Sequence, residues 1–163
     1  SPGSLAGEGA AMFLVSDEKE GALARMRGIT ILHSEDENAV TGQLQEFLNR
    51  HIASTRERPD LFLTGENGDI RIRHFYDACE KVLDNTSPGN DITIARYKHM
   101  SGEYPTATAF ALWIACQVLG GLSLPSHMIK RPGSAAHASF RNVLIYNNYK
   151  GRQHSFMWVS GVE

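Results

Sequence analysis

The stretch from Ala107 to Leu119 constrains the fold more than any other. It is apolar except for Thr108 and Gln117, and it is shorter than the roughly 20 residues a membrane-spanning helix needs. A helix apolar on every side must be buried on every side, so this pattern predicts a second sheet or a partner chain against its outer face. Ile92-Thr93-Ile94-Ala95 reads as a strand. Lys98-His99-Met100-Ser101-Gly102-Glu103-Tyr104-Pro105 connects that strand to the helix. The connection sets Lys98 and Glu103 at the C-terminal edge of a sheet, where open α/β folds gather their working groups.

The rest of the chain alternates in the same manner. Gly7 to Ser16 is a glycine-punctuated approach to a buried strand over Met12-Phe13-Leu14-Val15, and Gly28 to His33 is a second strand rich in β-branched residues. Asp17 to Arg27 between them is charged and loop-like or loosely helical. Asn38 is the expected cap of a helix whose apolar face carries Val40, Leu44, Phe47, Leu48 and Ile52. Asp60 to Thr64 is a short strand buried on both faces, and Gly65 to Asp69 a tight loop at its end. A second amphipathic helix presents Ile72, Phe75, Tyr76, Cys79, Val82 and Leu83 on one side. Asn85 to Asn90 is a loop, and Gly120-Gly121 closes the apolar helix. Two strands, Asn142 to Asn147 and Ser155 to Val159, form a closing antiparallel hairpin. The order β-β-α-β-α-β-α-(β)-β-β predicts an α/β fold, a mixed and mostly parallel sheet covered by helices.

The chain has 163 residues, 42% of them hydrophobic and 21% charged, which describes an ordinary domain with a core. Its net charge of −2 leaves no electrostatic footprint for nucleic acid or a membrane surface. Cys79 and Cys116 sit on apolar helix stripes and read as reduced core residues, which fits a cytoplasmic setting. There is no initiator Met and no signal peptide, so a fragment of a longer chain is expected.

Four segments in this order resemble the C-terminal part of the β-ketoacyl-ACP synthases of the thiolase fold. Gly7-Glu8-Gly9-Ala10-Ala11 with its strand looks like that family's Gly-Glu-Gly-Ala strand. Asp60 to Asp69 falls where the family has a His-Gly-Thr-x-Thr loop. Lys98 to Ala109 looks like Lys-x-x-x-Gly-His-x-x-Gly-Ala-Ala-Gly, and Asn147 to Val159 is similar to the closing Asn-Ser-Phe-Gly-Phe-Gly-Gly-Thr-Asn hairpin. The resemblance implies a thiolase-like half, with residues 1–33 as the last strands of the N-terminal half and 34–163 as the C-terminal half.

Lys98 and Gly102 match the family, but both expected histidines are replaced, by Gly65 and by Glu103, and only Gly151 survives from the closing glycine turn. Decarboxylative condensation builds an enolate that two imidazole donors stabilise; losing one donor costs roughly two to three orders of magnitude in rate. A carboxylate in that place should repel the enolate. The family's nucleophilic cysteine lies in a half that these residues do not include.

The resemblance therefore implies a non-condensing partner subunit in fatty-acid, polyketide or polyene assembly. It implies a homodimer or a heterodimer with a β-ketoacyl synthase, an acyl carrier protein as partner, and acyl groups delivered on phosphopantetheine with no cofactor or metal. The alternatives are an active 3-oxoacyl-ACP synthase or other thiolase-fold acyltransferase, and a non-enzymatic α/β interaction module, which predicts that Lys98, Gly65 and Glu103 do not converge.

By position match, Lys98 and Glu103 are the catalytic candidates, and Gly65, Glu66, Gly102, Lys150 and Gly151 line the substrate pocket. Glu103 has two readings: an acid at a helix N-terminus, or a site residue bridged to Lys98 or to a partner chain. Lys150 and Arg152 are either a solvated turn or contacts for a carrier protein. His33, His51, His127 and His137 read as surface or loop residues, His154 as a residue that holds the hairpin, and Phe110 and Trp113 as core. Glu66-Asn67-Gly68-Asp69 lacks the ligand alternation of a calcium loop and reads as a turn with an Asp helix cap. Gly7-x-Gly9 precedes a strand, not a helix, so it does not read as a phosphate cradle.

Overall fold

A computed structural model describes residues 3–86, 92–133 and 139–162. Its elements are β1 (Arg25–His33), α1 (Glu37–Thr55), β2 (Leu61–Thr64), α2 (Arg73–Thr86), β3 (Thr93–Arg96), α3 (Lys98–Ser101), α4 (Ala107–Leu119), β4 (Ile129–Arg131), β5 (Asn142–Tyr149) and β6 (Gln153–Ser160). A 3-10 turn at Ser126–Met128 leads into β4. Asn85 and Thr86, expected in a loop, are the last residues of α2, and the rest of the expected loop, like His137, lies outside the described residues.

The strands form one mixed sheet in the order β1-β6-β5-β2-β3-β4. Parallel pairing is confined to its centre, β5-β2-β3, and the flanking pairs are antiparallel. β1 pairs with β6 from Arg25 to His33, so residues 25–33 lie in the same sheet as the strands that follow.

Side chains on successive strand residues point to opposite faces. Phe62, Ile94, Leu144 and Phe156 meet α1 and α2 on one face, while Leu61, Leu63, Ala95 and Val143 meet α4 on the other. All of β2 is buried, as its unbroken apolar run predicts.

Several local expectations are corrected. The cap of α1 is Asp36, not Asn38: Asp36 is extended and its carboxylate accepts from the Asn38 N–H at 2.9 Å, which puts Asn38 in the first turn. β1 begins at Arg25, earlier than Gly28. His51, expected at the surface, is half-buried and packs edge-on against Phe47 at 4.5 Å.

Met12 to Val15 is not a strand. Met12 is 96% and Leu14 102% exposed. A short run apolar at every position needs cover on both faces, and no element among the described residues covers this one. The helix expected from Pro105 begins at Ala107, and only its sheet side is buried. Ala107, Ala111 and Ala115 let its backbone approach the sheet, whereas Trp113, stacked on Phe110, is 46% exposed. No second layer among the described residues covers that side. Among them, no helix is long and apolar enough to cross a membrane.

His154, 1% exposed, joins β6 to the chain ahead of α1. Its Nε2 lies 3.0 Å from the Ser34 carbonyl and its Nδ1 2.9 Å from the Tyr146 hydroxyl. A carbonyl only accepts, so Nε2 carries the proton and Nδ1 accepts from Tyr146. Burial holds this imidazole below its ordinary 6.5. The fold favours the neutral ring, so this stability is intact above 6.5 and is lost as the pH falls below it toward the lower folded value. Urea denaturation over a pH series should show that decline. The His154→Phe variant should show a shallower one, at a cost of about 1–3 kcal/mol for stranding the Tyr146 hydroxyl.

Candidate functional site

The register of the three parallel strands builds the site. Thr64 stands opposite both Arg96 and Tyr146, so β2, β3 and β5 reach one level there. The residues just beyond that level — Gly65, Tyr97-Lys98 and Asn147-Asn148 — therefore meet at one edge. Gly65 continues the pairing, donating to the Tyr146 carbonyl at 2.8 Å, while its own carbonyl accepts from the Tyr76 hydroxyl at 2.8 Å. A Cβ at Gly65 would stand 2.8 Å from Asn147 Oδ1, 2.9 Å from Tyr97 Oη and 3.0 Å from Lys98 Cε. A side chain at position 65 would force these three buried side chains to shift.

α3 is a single turn. Gly102, at φ 74°, ends it and donates to the Lys98 carbonyl at 2.8 Å. That reversal returns Glu103 over Lys98, whose side chain is wholly buried. The Lys98 Nζ lies 2.8 Å from each Glu103 oxygen and 3.3 Å from the Asn148 carbonyl. Asn67 Nδ2 donates to Glu103 Oε2 at 2.7 Å. An ammonium has three protons, and these partners engage all of them. Burial lowers the Lys98 pKa, and Glu103 opposes the shift. The Tyr97 hydroxyl donates to Asn147 Oδ1 at 3.1 Å, and burial raises its pKa well above 10, so it stays neutral.

An open cleft of about 590 Å³ lies outside this pair, walled by Ser4 and Ala6, by Asn67 and Arg71, and by Tyr104 and Lys150. Lys98, Gly65 and Glu103 thus meet at one sheet edge, but of the three only Glu103 lines the cleft.

The remaining candidates divide between this cleft and its surroundings. Gly102 packs on Gly7. Lys150, at φ 57°, is exposed at the cleft with its ammonium 5.0 Å above the Tyr149 ring. Gly151 closes the β5–β6 turn, donating to Asn148 Oδ1 at 2.8 Å, and a Cβ there would press on Ile72 at 3.0 Å. Glu66 turns away from the cleft to Lys130 at 2.8 Å. Arg152 turns away too, to Glu35 at 2.6 Å. Asp69 sits in the expected turn, its carboxylate accepting from the Arg71 N–H at 3.0 Å. The Arg71 guanidinium holds it well below the usual carboxylate range. Both cysteines are free and lie on α2 and α4, away from this edge.

Sequence reasoning missed Asn67, Tyr97 and Asn148. Consecutive asparagines at the end of an apolar strand were a usable signal, because buried amides need partners. Nothing local in the sequence points from Asn67 to Glu103.

Truncating Glu103 would strand a buried ammonium. Glu103→Ala should cost about 3–5 kcal/mol, and replacing both partners, as Lys98→Met with Glu103→Leu, should recover most of it. Denaturant midpoints of the wild type, the single variants and the double variant check this; two nearly neutral single variants would contradict it.

No protein-family model and no curated protein matches the chain. Among solved structures, it is similar to one chain of a complex described as "AntDE:AntF (apo): type II PKS acyl-carrier protein in complex with its ketosynthase bound to the hexaketide". The TM-score is 0.59 at 9% sequence identity, over 86% of this chain and 34% of that one. This chain therefore spans about a third of its neighbour's length. At such identity the likeness is one of fold: a mixed six-stranded α/β sheet with helices on both faces, consistent with the thiolase-like class.

Proposed function

We propose that this chain is the C-terminal portion of a β-ketoacyl-ACP synthase-like protein of fatty-acid, polyketide or polyene assembly, and that it serves as a non-condensing partner subunit. The fold shared with a chain of a ketosynthase complex supports the first part. The second rests on one observation, the closed pairing of Lys98 with Glu103 and Asn148.

Enolate chemistry needs donors aimed at the developing oxyanion. In the positions matched to the family histidines, Glu103 brings no donor and Gly65 has no side chain. Lys98 has no proton left to offer, and the Tyr97 hydroxyl is already engaged by Asn147. Lys98 neutralises Glu103, so the obstacle to an enolate is chiefly the shortage of donors, with the carboxylate's charge a smaller contribution.

In this reading, residues 1–33 carry the end of a preceding half and 34–163 the second half. An acyl carrier protein presents the acyl group on its phosphopantetheine, with no other cofactor. Lys150, exposed at the cleft, suits the phosphate of that arm. A dimer with an active synthase, in the cytoplasm, completes the proposal.

The test incubates the full-length protein with malonyl-loaded carrier protein and measures carbon dioxide release. Alone it should remain at background, and it should add activity only when an active synthase is supplied. Robust release without a partner would establish the rival, an active synthase, and overturn this one. Returning histidine to position 103 alone should recover little, since a second donor, worth about 10²–10³ in rate, is still missing. Gly65→His would further require Tyr97 to be cut back, because the space is filled.

A further inference from the structure

Residues 3–9 belong to no helix or strand of the sheet, yet they hold the site together. The Glu103 N–H donates to the Leu5 carbonyl at 2.8 Å, and the Gly7 N–H donates to the Glu103 carbonyl at 3.2 Å. Ala6 and Glu103 thereby form an isolated parallel bridge. Both backbone groups of Glu103 are thus satisfied by this strap.

The fit is close. A Cβ on Gly7 would stand 2.0 Å from the Ser101 carbonyl oxygen and 2.7 Å from Gly102 Cα; one on Gly102 would stand 2.6 Å from Gly7 Cα. These obstacles are backbone, which cannot swing aside. Gly9 differs, since its Cβ would meet only the Tyr104 side chain, nearest at the hydroxyl, 2.8 Å away. On the other flank, Glu103 comes after a helix of a single turn, too short to hold its own geometry. The strap itself buries little: Leu5 is 78% exposed. Its attachment therefore depends on close backbone contact and not on apolar packing.

We propose that Gly7 is a positioning residue for the Lys98–Glu103 pair. Its missing side chain lets the strap lie on residues 101–103, and the bridge holds the Glu103 backbone where its carboxylate reaches both Lys98 and Asn67. This rests on the observed geometry of the pair and not on the synthase reading, so either stands if the other fails.

The test measures how fast an amine-selective acylating reagent modifies Lys98 in the full chain, with peptide mass spectrometry as the readout. Amide exchange in β2 is recorded in parallel. Gly7→Ala should raise the Lys98 rate by about tenfold or more while β2 exchange is unchanged, as expected for local opening. Gly42→Ala on α1, where an added Cβ meets nothing within 4 Å, should leave the rate at the wild-type value. Should Gly7→Ala fail to fold, deletion of residues 1–9 removes the strap without a clash and should give the same rise. A folded Gly7→Ala or strap-deleted protein whose Lys98 reacts at the wild-type rate would overturn the proposal. So would a rise accompanied by faster β2 exchange, which would mean general loosening.

Discussion

An ammonium with no exposed side-chain surface cannot remain charged without partners. Taking Lys98 out of water costs several kcal/mol even after the protein relaxes; Glu103 and Asn148 answer that cost, and Asn67 holds the Glu103 carboxylate in place. Each partner comes from a different segment. Glu103 depends on the reversal at Gly102, Asn148 on the end of β5, and Asn67 on the turn after β2. The ion pair and the three-strand edge therefore support each other: lose the common level of β2, β3 and β5, and the ammonium loses Asn148 while Glu103 loses Asn67.

The same closure decides the chemistry the site offers. A catalytic pocket for acyl condensation keeps donors idle until charge develops. Here the Lys98 ammonium and the Tyr97 hydroxyl are engaged in the resting protein, the buried Asn148 Nδ2 has no partner among the described residues, and the space at Gly65 is filled by Tyr97, Asn147 and the Lys98 stem. In the proposed reading, what a condensing site would leave open serves here as a structural joint. The cleft outside the joint carries Arg71 and Lys150 beside Asp69 and Glu103.

The alternation of strand and helix was legible because period-2 and period-3.6 patterns are local. β2 could be read from its run of apolar and β-branched residues, and α2 from the spacing of Phe75, Cys79 and Leu83. Lys98 and Glu103 were legible as a pair because they flank one short turn. Other features were not, because they depend on contacts between distant segments. Met12 to Val15 resembles a buried strand until the sheet's edges are known. Asn38 and Asp36 are both good caps, and only the backbone geometry selects Asp36. Trp113 looks like core, yet its side of α4 faces outward. Asn67 and the strap at Gly7 act on Glu103 across the chain, beyond the reach of any local pattern.

Glu103 holds the Lys98 ammonium inside the protein, and nitrogen-15 NMR of the lysine side chains reads this directly. The Lys98 ammonium should give a distinct signal whose protons exchange slowly with water, unlike those of exposed Lys81. It should also show contacts to Glu103 and Asn148. A Lys98 signal in fast exchange and indistinguishable from Lys81 would contradict the account.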